Sequence, residues 1–301
     1  MGQTVIDIHN LSRSFGARSA LDHVSFHAND GKVYGLVGSN GAGKTTLIRH
    51  VLGLLRAQSG SVRVFGLDPV LDPVGVLSRI GYLSEERDLP EWMRIDELMR
   101  YTQAYHPTWD MSYANELIET FGLDPSKRIK ELSKGMRAQA GLVAAVAHRP
   151  ELLVLDEPSS GLDAVVRRDI LDAIVRTVAD DGRTVIFSSH LLEEVERMSD
   201  HITMLQDGRV ILDGALEDVR HGYQRSRVRF VESFEHPPVL DTALVMEGGG
   251  RSWSVVHNGP PEQFQHSVLA LGGEVVDSRD ATLEEIFLAR AGRNRQPVGA
   301  A

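Results

Sequence analysis

The sequence predicts an α/β protein: a mixed sheet flanked by helices, with a helical segment inserted and a small α+β domain behind it. Three observations carry this. The stretch Gly38 to Thr46, GSNGAGKTT, matches the phosphate-binding pattern G-x-x-x-x-G-K-[ST] at Gly38, Gly43, Lys44 and Thr45. It lies between a short apolar strand, Val33 to Val37, and a helix that opens with Thr46 to Leu52. Apolar runs at Leu152 to Leu155 and Thr184 to Phe187 read as strands, and from Leu89 to His148 the apolar spacing turns helical.

The other elements follow in order. Val5, Ile6, Ile8 and Leu11, then Phe15, Ala20, Leu21 and Val24 to Phe26, fit short strands around turns. Asn29 to Gly31 is a turn. The helix from Lys44 ends near Gly53, and Ser59 and Gly60 turn into a strand over Ser61 to Phe65. A short helix and loop over 69–80 lead to a strand at Ile80 to Leu83. Ile95, Leu98, Met99 and Tyr101 keep helix spacing, as do Leu117, Ile118 and Phe121, with Pro107 and Pro125 between segments. This puts a helical subdomain at about 88–148.

After the buried strand at 152–155 a helix spans 164–179, and another starts at Leu191 beyond the strand at 184–187. Ile202 to Leu205 and Arg209 to Ile211 form a hairpin around Asp207 and Gly208. The composition shifts near 221, so domains are expected at 1–220 and 221–301. In the second, Val228 to Val231 is a strand. Ala243 to Met246 and Ser252 to Val256 flank Gly248 to Gly250 as a hairpin, Pro260 to Leu271 and Thr282 to Ala289 are helices, and Gly292 to Ala301 is a frayed tail.

Composition narrows the function. An apolar fraction of 42% and a charged fraction of 25% over 301 residues are those of a soluble globular protein. A net charge of -10 argues against a general nucleic-acid binder, which needs clustered Lys and Arg. The absence of cysteine rules out disulfides and thiolate metal sites. The opening MGQTVIDIHN lacks a signal-peptide pattern, and no run approaches the ~20 apolar residues of a membrane helix. Work at a membrane would need a partner that supplies the span.

The chemistry sits at the strand ends. The backbone of Gly38, Ser39, Asn40, Gly41, Ala42 and Gly43 can curl its N–H groups around one anion, and the helix N-terminus adds partial positive charge. Lys44 supplies a full charge, which attracts a unit negative charge by about 4 kcal/mol at ~4 Å and an effective dielectric of ~20. Thr45 offers a hydroxyl to a magnesium ion. The strand Leu152 to Leu155 ends in Asp156 and Glu157; unpaired carboxylates there are costly, so they point to magnesium for Asp156 and to a general base for Glu157. His190, after Ser188 and Ser189, is placed to bond a γ-phosphate and its attacking water. Ser133 is a good N-cap and, with Gly135, makes a second anion site at a helix start. One nucleotide does not need two such sites, so two copies, head to tail, would share them.

These features in this order resemble the nucleotide-binding subunit of ABC transporters over about residues 5–215. The resemblance implies an ABC-type P-loop NTPase fold. It makes Gly38 to Thr46, including Thr46, the Walker A loop, Leu152 to Glu157 Walker B, 132–136 the signature, Ser159 to Asp163 the D-loop and His190 the switch histidine. Phe15 falls where an aromatic stacks on adenine, although it also suits core packing. Two positions depart from the pattern. The signature reads LSKGM, and Glu85 stands where a Gln normally meets magnesium; a carboxylate can ligate it, or Glu85 is a surface residue. LSKGM, IGYLSEE and the extra C-terminal domain are similar to the YtrB-like branch of ABC-2-type exporters.

The resemblance implies an ATP- and magnesium-dependent ATPase, a homodimer, lying on the cytoplasmic face of a membrane through a separate ABC permease. The permease would touch residues 86–105. The alternatives are a soluble ABC-type ATPase that acts on a nucleic-acid or ribosome partner, or a regulatory switch. The single phosphate loop, the lack of a long heptad run and the acidity count against the first, and the intact carboxylate pair against the second.

Overall fold

A computed structural model describes residues 2–293; most of the expected tail lies outside them. The chain divides into two compact units, 1–210 and 211–301, before α8 (Leu216–His221) rather than at the composition shift near 221. Helix α8 buries Leu216 and Val219 much as earlier helices do, so composition does not mark the change.

The first unit begins with β1 (Thr4–Phe15) and β2 (Arg18–Asn29), longer than the short strands expected. Their apolar alternation is re-phased by register shifts, with Asn10 and His23 at positive φ, and a periodicity reading breaks there. Then come β3 (Val33–Val37), α1 (Lys44–Val51), β4 (Ser59–Val64), α2 (Pro73–Leu77) and β5 (Ile80–Leu83). Helices α3 (Ile95–Gln103), α4 (Met111–Thr120) and α5 (Lys134–Val146) make up the inserted segment. Strand β6 (Leu152–Leu155), α6 (Ala164–Asp181), β7 (Thr184–Ser189), α7 (Leu192–Met198) and β8 (His201–Gln206) follow, and the division between the units falls within β9 (Arg209–Ala215). Asp207 and Gly208, both at positive φ, turn β8 into β9, the conformation a tight hairpin needs.

Strands β2, β1 and β4 form one sheet. A second has the order β5-β6-β7-β3-β8-β9, with parallel pairing from β5 through β8. Strands β3, β6 and β7 are buried along their whole length, which is why they read as continuous apolar runs. Leu83 pairs with Leu155, Leu155 with Phe187, and Val37 with Ser189. Their carboxyl ends therefore leave one edge of the sheet side by side, where such sheets bind ligands. One core joins Ile6, Leu21, Leu36, Ile48, Val154 and Ile186, so both sheets pack around α1.

In the second unit β10 (Tyr223–Phe234) lies between β11 (Ala243–Asn258) and β12 (Gly273–Asp280), with α9 (Pro261–Ala270) and α10 (Leu283–Arg293). The expected hairpin at Gly248 to Gly250 forms within β11, which doubles back on itself: Asn258 N–H donates to Thr242 O at 3.1 Å, and a Cβ on Gly248 would come within 2.5 Å of Ser252 O. Gly248 (φ 141) and Gly250 (φ 60) lie inside β11 where its register with β10 shifts. Strand β12 has an almost wholly exposed burial pattern and so lacks the alternation that would mark it.

Each unit buries a neutral imidazole. His148 lies against His106 with its Nε2–H donating to Ile80 O (3.1 Å), and burial, then His106, pushes its pKa down to about 4. His257 stacks on Phe264 at 3.6 Å, and burial lowers it to about 4 as well. The usual value is 6.5. Between these values the unfolded chain binds more protons than the folded one, so acid favours unfolding. The thermal unfolding midpoint should fall as pH drops from about 6.5 to about 4. His148→Gln and His257→Gln should each flatten the profile; an unchanged slope in both would show that these rings are not the cause.

Candidate functional site

The site grows from the turn between β3 and α1. Gly43 caps α1 at φ 114 with no side-chain cap, so the first-turn N–H groups remain free for an anion. A Cβ on Gly43 would come within 2.6 Å of Ala20 O, and one on Gly38 would collide with Leu205 O. Both positions therefore need glycine. Lys44 folds back beneath the loop: its Nζ donates to Gly38 O at 2.6 Å and Ser39 O at 3.5 Å.

The same Nζ lies 3.1 Å from Glu157 Oε1, with both side chains almost fully buried. Glu157 follows β6 at φ 48, a left-handed conformation that costs a non-glycine residue free energy. A hydroxyl of β7 holds it there. Its N–H donates to Ser188 Oγ at 2.9 Å, and Ser188 Oγ–H donates to Asp156 Oδ1 at 2.7 Å. His190 Nδ1 lies 2.7 Å from Glu157 Oε2. One carboxylate thus joins the lysine of the phosphate loop to the histidine after β7.

A cavity of about 500 Å³ opens over the loop. Phe15 and Arg18 wall one side, residues Asn40 to Thr46 form the floor, and Glu85 and Glu157 close the other side. Phe15 is 47% exposed and so does not pack in the core. A neighbouring cavity of about 770 Å³ is lined in part by Thr45, Glu85 and Asp156. Thr45 and Glu85 border both spaces and Asp156 the second, so one cavity is lined by three oxygen-bearing side chains of the type that hard cations take.

Ser133 caps α5, its Oγ accepting from Met136 N at 3.2 Å, but neither it nor Gly135 lines either cavity. Gly135 is buried against Val166 of α6. The structure also brings in residues that sequence reasoning missed. Arg18 Nη2 donates to Gly41 O at 3.3 Å and sets a cation at the cavity wall. Glu194 accepts from Ser159 Oγ and Ser189 Oγ, each at 2.8 Å. Ser188 was visible only as the neighbour of His190; its role depends on the register of β6 against β7.

A profile described as ABC transporter matches residues 21–160. The ABC transporter ATP-binding protein YtrB of Bacillus subtilis is 30% identical over 97% of this chain and 100% of its own length. The chain belongs to the ABC transporter ATP-binding family. The daunorubicin resistance ATP-binding protein DrrA3 of Streptomyces coeruleorubidus is 31% identical over the full length of both chains. A solved structure described as the ATP binding subunit of an ABC transporter superposes with a TM-score of 0.67 at 29% identity, covering 72% of this chain and 92% of that one. The protein is thus an ATP-hydrolysing ABC transporter subunit, and no helix among its described residues is long and apolar enough to cross a membrane.

Proposed function

We propose that two copies of this chain clasp two ATP molecules head to tail, hydrolyse them with magnesium, and so drive export through a separately encoded permease. The observation that carries the pairing is the position of Ser133 and Gly135: an anion-binding helix start that lines neither cavity of its own chain. A second copy would bring it over the nucleotide held on Gly38 to Thr46. Asp156, Thr45 and Glu85 would hold magnesium, which screens the phosphate charge. Phe15 would stack on the base, and Arg18 would add charge near the phosphates. Glu157 takes the proton from the attacking water, and His190 orients Glu157 and that water.

The relative described as a daunorubicin resistance protein supports the direction of transport. Permease pairing places the chain on the cytoplasmic face of a membrane. Residues 86–105 remain the surface proposed for the permease.

The assembly is tested by cross-linking, which the absence of native cysteine makes simple. Asn40→Cys and Ser133→Cys are combined in one chain. A short bifunctional thiol reagent should join two chains when ATP and magnesium are present and leave them single without ATP. Two-chain product independent of ATP, or none in a variant that still hydrolyses ATP, would contradict the head-to-tail arrangement.

A further inference from the structure

Arg87 stands two residues after Glu85 and is 3% exposed, yet among the described residues it has no carboxylate partner. Its Nη2 donates to Pro158 O at 3.1 Å and to Ser160 O at 2.9 Å. Its Nε and Nη1 are buried with no hydrogen-bond partner. The backbone of Arg87 is itself held at φ 53, its N–H donating to Ser84 O and to Ser84 Oγ.

This arrangement does not suit a residue kept for stability. Burying a guanidinium against two neutral carbonyls recovers only part of its lost hydration. An apolar side chain of similar length would fill the space at less cost. The two carbonyls explain its place. They flank Ser159 and begin one residue after Glu157, the strained residue at the end of β6. Ser159 Oγ donates to Glu194 Oε2, so residues 157–160 are anchored to α7 on one side and to Arg87 on the other. Arg87 belongs to the loop after β5, which also carries Glu85 at the border of both cavities.

We propose that Arg87 is a positioning residue for ATP hydrolysis: it ties the loop bearing Glu85 to the segment after Glu157 and thereby sets the aim of the Glu157 carboxylate. A movement of the loop after β5 is transmitted to residues 158–160 through one guanidinium. This inference rests on Glu157 as the base. It concerns the chemical step: Arg87 is absent from the wall of the phosphate cavity and borders only the neighbouring one, where its guanidinium bonds to Pro158 O and Ser160 O.

The test uses the purified full chain and compares wild type, Arg87→Met, Arg87→Lys and Glu157→Gln. Arg87→Met should lower kcat roughly ten- to a hundredfold, the loss expected from a small misplacement of a catalytic group, with KM for ATP unchanged. Its thermal midpoint should equal or exceed that of wild type. Arg87→Lys, which keeps the charge but not the fork that reaches both carbonyls, should fall between. Wild-type kcat in Arg87→Met overturns the proposal, as does a fall in thermal midpoint that matches the loss of activity. If Arg87→Met does not fold, Arg87→Lys decides: wild-type kcat overturns the proposal, and a lowered kcat at unchanged KM supports it. Glu157→Gln separates the two readings. If it is inactive while Arg87→Met is fully active, only the role of Arg87 fails; if Glu157→Gln is itself active, the base assignment fails.

Discussion

Glu157→Gln should lower ATP turnover by about two to four powers of ten while ATP binding persists. At ~1.36 kcal/mol per tenfold this is about 3–5 kcal/mol of barrier. The amide keeps the shape of the side chain and its reach to His190, but it cannot take a proton from water. It also removes a negative charge from a site that must accept a triphosphate, so binding should hold or tighten. Closed two-chain complexes should then accumulate with ATP, visible as an earlier peak on size exclusion. Phosphate release at the wild-type rate would remove Glu157 as the base.

Lys44→Ala should weaken ATP binding by about ten- to a hundredfold. A lysine charge near phosphate is worth about 4 kcal/mol at an effective dielectric of ~20. Part of that is surrendered, because Lys44 already pairs with Glu157 at 3.1 Å and phosphate competes for the same Nζ. The net of about 1.4–2.8 kcal/mol corresponds to the stated loss. The substitution should also destabilise the fold, since removing one member of a buried pair costs about 3–5 kcal/mol. That cost should shrink when Lys44→Ala is made together with Glu157→Gln, because no buried carboxylate is then stranded. Fluorescent-nucleotide titration and thermal unfolding of the single and double variants give both numbers. Equal destabilisation in the two backgrounds would mean that the ion pair contributes nothing to stability.

The parallel strands were legible because burial on both faces makes them uninterrupted apolar runs, as in Leu152 to Leu155. The phosphate loop was legible because its glycines, Lys44 and Thr45 all fall within the short stretch Gly38 to Thr45. Glu157 and His190 were legible as the residues that follow buried strands. Contacts that depend on register were not. Ser188 serves Asp156 and Glu157 only because Leu155 pairs with Phe187. Arg87 looked like one charge in a polar loop, although it is buried under residues more than seventy positions away in sequence. In the second unit, Gly248 to Gly250 were legible as the turn at which β11 doubles back, whereas the polar β12 carries no apolar rhythm.

Neighbouring strand ends work as a ruler. From β5 through β6 and β7 to β3 there are three intervals, about 14 Å at the usual ~4.8 Å per strand. Glu85, Asp156 with Glu157, His190 and Gly38 follow these four ends in that order. The width of the reaction centre is thus set by main-chain hydrogen bonding, and conservative exchanges in the hydrophobic interior leave the graduation intact. A single-residue slip of β6 against β7 would not: it would turn every side chain of the strand over and exchange the directions in which its two terminal acids point.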